Sequence, residues 1–133
     1  MRIGLLTSGG DCPGLNATIR GAVLKGDRAY ETEFVGFRWG WRGLVEADTM
    51  PLPRHRVRGI GRQGGTILGS SRTNPFEGEH GGPENIAKTL ERLEIDAVIA
   101  IGGEGTLTAA RRLSEAGIPV VGIPKTIDND LRG

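Results

Sequence analysis

The sequence predicts an α/β protein, a three-layer sandwich built on a mostly parallel sheet. Short apolar runs that read as buried strands, RIGLLT, DAVIAI and PVVGI, alternate with stretches whose apolar residues recur at helical spacing. That alternation is the pattern of βαβ units, whose crossover helices cover the faces of a parallel sheet. Three of the strands empty into loops that carry glycine or carboxylates: Thr7 into SGGD, Ile101 into GGEGT and Ile123 into PKTIDND. Open sheets of this class bind ligands outside the carboxyl ends of their strands.

The elements follow in order. RIGLLT (2–7) reads as a strand and GGDCPG as the sharp turn after it. From Leu15 to Tyr30 the chain is helical, with Leu15, Ile19, Val23 and Leu24 on one face. EFVGF (33–37) is a second strand, and GLVEA (43–47) is expected as a short third. Residues 49–75 hold five arginines (54, 56, 58, 62 and 72) and no acid. PENIAKTLERL (83–93) is a helix opened by a proline in its first turn. DAVIAI (96–101) is a strand, Thr106 to Glu115 a helix stopped by Gly117, and PVVGI (119–123) the last strand. There is no internal repeat and no long linker.

A chain of 133 residues is the size of one domain, and 37% hydrophobic with 25% charged residues suits a soluble globular protein. A net charge of +1 argues against a general nucleic-acid binder. The lone Cys12 excludes an internal disulfide and fits a reducing compartment. Arg2 leads directly into a strand without a signal-peptide layout, and no apolar run approaches the ~20 residues of a membrane span. The default location is cytoplasmic, with no membrane partner.

Glycine is the compositional outlier, at 23 residues gathered around 9–10, 59–69, 81–82 and 102–105. Such clusters mark ordinary turns, or backbone that takes positive φ or lies close to a ligand. TSGGDCPGLN (7–16) fails both common nucleotide fingerprints. It has Asp11 where G-x-G-x-x-G needs glycine, and Leu15-Asn16 where the P-loop needs Lys-Ser/Thr. Its glycine amides before a helix still suit an anion, or make a plain tight turn. GGEGT (102–106) repeats that design, and Glu104 there is either a Mg2+ ligand or an acid placed for the helix dipole. Most of the five arginines read as solvated. Arg72 differs because it follows GGTILGSS. His55 and His80 lack metal-ligand spacing, and Trp39 and Trp41 read as packing residues in a glycine-bounded loop.

Taken together and in this order along the chain, LLTSGGDCPGLNATIRG, GGTILGSSR, AIGGEGT and GIPKTIDND resemble the 6-phosphofructokinases. That resemblance implies an α/β enzyme of glycolysis. Such an enzyme moves a phosphoryl group from ATP, or in some members pyrophosphate, to the 1-hydroxyl of fructose 6-phosphate. By the same resemblance Gly10 contacts the donor, Arg72 and Thr73 hold its phosphates, and Gly103, Glu104, Gly105 and Thr106 bind donor and Mg2+, with Glu104 the metal ligand. Lys125, Thr126, Ile127 and Asp128 bind the sugar, with Asp128 the base on its hydroxyl. Asp130 assists through the metal and the transferred phosphate, and Arg72 stabilises the transferring charge. An aligned carboxylate accepting the hydroxyl proton is worth roughly 10²–10⁴ in rate. The two aspartates stand at i, i+2, so in extended backbone they point the same way.

The chain departs from the family pattern in places. Glu104 stands where aspartate is commonest, which adds a methylene and shifts the metal or interposes a water. Lys125 stands where the best-known ATP-using bacterial enzymes have glycine, and is typical of pyrophosphate users and of a branch with both donors. Gly105 stands where pyrophosphate users often have an aspartate that would oppose the α-phosphate of ATP, so ATP is the expected donor. Arg20 and Arg54 match arginines of a bacterial effector site, but Leu24 replaces another, and effector control is not carried over. Family members are much longer, so the chain is expected to be the amino-terminal, donor-binding part (1–133) of a homo-oligomeric enzyme, inactive by itself. Two other classes share features: NAD or lipid kinases with a GGDGT-type loop, against which TIDND and TSGGD argue, and a non-catalytic nucleotide-binding half, against which the intact aspartates argue.

Overall fold

The computed structural model describes residues 1–9, 15–30, 32–58, 60 and 66–124, with 26–30 as backbone alone. Its first strand, β1 (Arg2–Ser8), runs through the middle of a five-stranded sheet. Helix α1 (Leu15–Tyr30) returns the chain to β2 (Glu33–Phe37), parallel to β1 with Ile3 opposite Phe34. After the short helix α2 (Trp41–Glu46), β3 (Thr49–Pro51) turns back antiparallel on β2, with Gly36 opposite Met50. A single turn, α3 (Arg54–Val57), precedes a long connection to α4 (Pro83–Arg92). Strand β4 (Ala97–Gly102) then pairs with the other side of β1, and α5 (Glu104–Glu115) leads to β5 (Val120–Pro124). The sheet order is β3-β2-β1-β4-β5, parallel except for β3.

Apolar side chains sort by sheet face. Leu5, Phe34 and Ile101 pack with Leu15, Ile19 and Val23 of α1 and Val57 of α3. Leu6, Phe37, Val98 and Val120 pack on the opposite face with Leu44, Ile86, Leu90 and Leu113 from α2, α4 and α5. Consecutive Leu5 and Leu6 entering different cores is the period-two alternation of a strand covered on both sides. This is the three-layer sandwich that the strand–helix alternation predicts. Among the described residues no helix is long and apolar enough to cross a membrane.

One element differs in kind. GLVEA, expected as a strand over 43–47, lies in α2 and the turn that ends it. Trp41 and Leu44, three residues apart, both enter the core, and Arg42 meets Glu46 at 3.2 Å across one helical turn. Helical spacing buries the two large side chains together. Ala47 ends the helix in the left-handed region (φ 59), and Thr49–Pro51 supplies the extra strand instead. Helix α5 also begins at Glu104, two residues before the expected Thr106, which brings Glu104 and Gly105 into its first turn.

The stop at Gly117 is built as expected. Gly117 has φ 94, its N–H donates to Ser114 O (3.0 Å), and the N–H of Ile118 donates to Leu113 O (3.0 Å). This is a Schellman cap, closed by the buried Leu113 and Ile118. Gly117→Ala should therefore lower stability by about 1 kcal/mol through the left-handed backbone it imposes on alanine. Denaturant unfolding of the full-length protein measures this, and an unchanged midpoint would show that the cap does not depend on glycine.

Candidate functional site

The strand order puts a switch point at the centre of the sheet. From β1 the chain crosses to β2 on one side, whereas β4 lies on the other and its crossover runs outward to β5. Loops leaving β1 and β4 therefore diverge, and the crevice between them is where such sheets bind ligands. Ser8 and Gly102 face each other there in register. A Cβ at Gly102 would lie 2.5 Å from the Ser8 carbonyl oxygen and 2.7 Å from Thr106 Cβ. Only glycine lets the end of β4 and the start of α5 come so close to β1.

Two of the three loops singled out in the sequence are thus neighbours. The third leaves the same end of the sheet one strand away, since Gly102 pairs with Pro124. Its Lys125, Thr126, Ile127, Asp128 and Asp130 lie outside the described residues, as does Gly10.

A cleft of about 450 Å³ opens at the switch point. Ser8 and Gly9 lie at the end of β1, and Gly103 and Thr106 at the start of α5. Along α5, from its first turn onward, Gly105, Thr108, Ala109 and Arg112 line one wall. Their spacing of i, i+3, i+4 and i+7 makes one helix face, while Thr106, Ala110 and Leu113 are buried. The opposite wall is the segment from Ser71 to Phe76, including Arg72 and Thr73. The structure thus brings together Arg72, Thr73, Gly103, Gly105 and Thr106. Glu104 does not line the cleft: it is exposed at the first position of α5, between two glycines that do.

Buried polar groups hold the second wall in place. Thr7 donates from Oγ1 to Gly69 O (2.8 Å), so in its 2.9 Å contact with Thr66 Oγ1 the Thr66 hydroxyl is the donor. Asn16 Oδ1 accepts from Ile67 N (2.7 Å), and Trp39 N donates to Leu68 O (2.9 Å). Gly69, at φ 74, lies under the Trp39 indole, where a Cβ would come within 2.7 Å of the ring.

The charge of the cleft is one-sided. Among the described residues its lining contains the guanidinium groups of Arg72 and Arg112 and no carboxylate. Neither arginine has an ion-pair partner among the described residues. The Arg112 guanidinium stacks 4.0 Å above the centre of the Phe76 ring. No side chain caps α5, so its first-turn N–H groups and dipole face the cleft mouth. Such a site attracts phosphate-like anions. Glu104 offers one exposed hard oxygen donor beside it, which fits a Mg2+ that keeps waters and takes its other ligands from phosphates. No group of three His, Cys, Asp or Glu stands together among the described residues.

Other singled-out residues lie elsewhere. His55, Arg56 and Arg58 are exposed, and His80 is exposed 3.9 Å from Glu79. Arg20 Nε donates to Arg58 O (2.8 Å), tying α1 to the end of α3. Trp41 packs in the core, as read from the sequence, and also lines the cleft; Trp39 is 48% exposed. Sequence reasoning missed Ser71, Phe76 and Arg112. Arg112 was legible in principle, because it continues the small-residue face of α5 one turn beyond Thr108 and Ala109.

Comparison with known proteins agrees with this geometry. The family model described as phosphofructokinase matches residues 2–133. The chain is 59% identical over 131 residues to a pyrophosphate–fructose 6-phosphate 1-phosphotransferase of Amycolatopsis methanolica, covering 98% of this chain and 38% of that protein. It is 56% identical, with the same coverage, to ATP-dependent 6-phosphofructokinase 3 of Streptomyces coelicolor. Among solved structures it superposes on Pichia pastoris phosphofructokinase in the T-state with a TM-score of 0.83 and 31% identity, over 97% of this chain and 15% of that one. The chain therefore spans well under half the length of these relatives. It belongs to the phosphofructokinase family.

Proposed function

We propose that this chain forms the phosphoryl-donor part of a 6-phosphofructokinase that uses ATP to phosphorylate the 1-hydroxyl of fructose 6-phosphate. One observation carries this reading: at the switch point of the sheet, a cleft lined, among the described residues, by two arginines and no carboxylate faces the uncapped start of α5. The first-turn amides of α5, the Arg72 guanidinium and the Thr73 hydroxyl hold the phosphate oxygens of the donor and offset their charge. Glu104 holds Mg2+ beside them, directly or through water. When bound, that ion neutralises charge on the transferring phosphate.

The remaining chemistry belongs to the loop that begins at Lys125. In this reading Lys125, Thr126 and Ile127 hold the sugar, and Asp128 takes the proton of the 1-hydroxyl as its oxygen attacks phosphorus. The bond from phosphorus to the bridging oxygen of the donor breaks, leaving ADP and fructose 1,6-bisphosphate, and Asp130 supports the phosphate network. The full-length enzyme is a cytoplasmic homo-oligomer in this reading. It contacts neither nucleic acid nor membrane.

The choice of ATP rests on Gly105. Among the described residues nothing lies within 4 Å of a Cβ built there, so position 105 leaves open space and adds no charge of its own. A second reading, pyrophosphate as donor, is favoured by Lys125 and by the four relatives at 54–59% identity that carry that name. Turnover of fructose 6-phosphate by the full-length protein, measured with each donor, separates them. Turnover with pyrophosphate alone would overturn the ATP assignment, and none with either donor would overturn the whole reading.

Two substitutions sharpen this. Asp128→Asn should lower turnover by roughly 10²–10⁴ while leaving the donor KM nearly unchanged, because only the proton acceptor is removed. Near-normal turnover would take Asp128 out of the base role. Gly105→Asp has room in the fold and adds a charge that repels the α-phosphate, so it should reduce kcat/KM for ATP by about tenfold or more and affect pyrophosphate less. Equal losses with both donors would show that position 105 does not discriminate between them.

A further inference from the structure

Three non-glycine residues among those described have positive φ: Trp39, Ala47 and Glu94. Ala47 and Glu94 follow the ends of α2 and α4, where a left-handed residue closes a helix. Trp39 (φ 62) does not. It lies in the turn from β2 to α2, ahead of Gly40 (φ 62), and a bulky residue adopts this conformation only where its surroundings enforce it.

What the turn achieves is visible in its hydrogen bonds. The Trp39 carbonyl accepts from Arg42 N (3.2 Å) and from Ser71 Oγ (2.7 Å). Ser71 Oγ also lies 3.2 Å from Thr73 Oγ1 and accepts from Thr73 N (3.4 Å). A serine hydroxyl has one proton. The shorter bond to the Trp39 carbonyl takes it, a Ser71 lone pair accepts the Thr73 N–H, and the same hydroxyl is also placed to donate to Thr73 Oγ1. Arg72 sits between the two clamped residues, exposed in the cleft and without an ion-pair partner among the described residues. Its backbone is held while its side chain is left for a ligand.

We propose that Ser71 is a positioning residue for phosphoryl transfer, aligning Arg72 and Thr73 on the donor through the Trp39 carbonyl. This rests on the assignment of the cleft as the donor site. An arginine must meet phosphate oxygens within tenths of an ångström to offset charge in the transition state, and a fixed backbone on either side of it narrows the search.

The test is a double-mutant cycle in the full-length enzyme with Ser71→Ala and Arg72→Ala, read as kcat and KM for donor and for fructose 6-phosphate. Ser71→Ala should lower kcat/KM for the donor roughly ten- to a hundredfold. The fructose 6-phosphate KM and the melting temperature should change little, and Ser71→Thr, which keeps the hydroxyl, should recover most of the loss. In the Arg72→Ala background the same Ser71→Ala change should have a clearly smaller effect, because only the positioning of Thr73 is then left to lose. Equal effects in both backgrounds, or a lower melting temperature with unchanged donor kinetics, would overturn the positioning role. Unaltered donor kinetics in Arg72→Ala alone would instead overturn the donor assignment of the cleft, and the proposal with it.

Discussion

The carboxyl end of the sheet depends on how closely three pieces of backbone approach one another. Gly102 ends β4, pairs with Ser8 of β1 on one side and Pro124 of β5 on the other, and directly precedes the first turn of α5. Any side chain at 102 would run into the Ser8 carbonyl and into Thr106. Its absence seats α5 against the sheet with its amino end at the mouth of the switch-point crevice. The orientation matters because first-turn N–H groups are the strongest fixed donors a helix offers. From this contact follow the cleft wall built by Gly105, Thr108, Ala109 and Arg112, and the position of Glu104 at its rim.

A second demand comes from polar groups shut away from water. The buried polar residues among those described are Thr7, Ser8, Asn16, Thr32 and Thr106, and all but Thr32 gather at the switch point. A buried hydroxyl or amide without a partner costs about 1–3 kcal/mol, so these groups constrain whatever packs on them. Thr7 and Asn16 satisfy themselves with the backbone of residues 67–69, and Thr7 also meets Thr66. That draws the 66–74 connection over the end of β1, although it contains neither helix nor strand. The same bonds that satisfy the core therefore place the arginine-bearing loop opposite α5.

The two arginines of the cleft are held differently. Arg112 lies flat on the Phe76 ring, so its guanidinium is already ordered on the protein. Arg72 has no such support, and only its neighbours in the chain are tied down. A group poised on a ring holds a constant positive potential, whereas one fixed only at its backbone can follow a moving phosphate.

The sequence by itself determined what depends on near neighbours. Apolar runs made β1, β4 and β5, helical spacing made α1 and α4, Pro83 opened α4 and Gly117 closed α5. The glycine loops after Thr7 and Ile101 were legible as leaving the carboxyl ends of strands in a predicted parallel sheet, and Ser8, Gly9 and Gly103 line the cleft there. The tertiary structure decided the rest. GLVEA has no strong preference of its own, and it became helical because Trp41 and Leu44 must enter one core together. Strand order was decided by which faces α1, α2, α4 and α5 could cover at once, which no single period reports. The meeting of Arg72 with α5, and of Phe76 with Arg112, was decided by hydrogen bonds from Thr7 to a loop 62 residues away. Periodicity records which way a side chain points from its own element; only packing decides what it meets there.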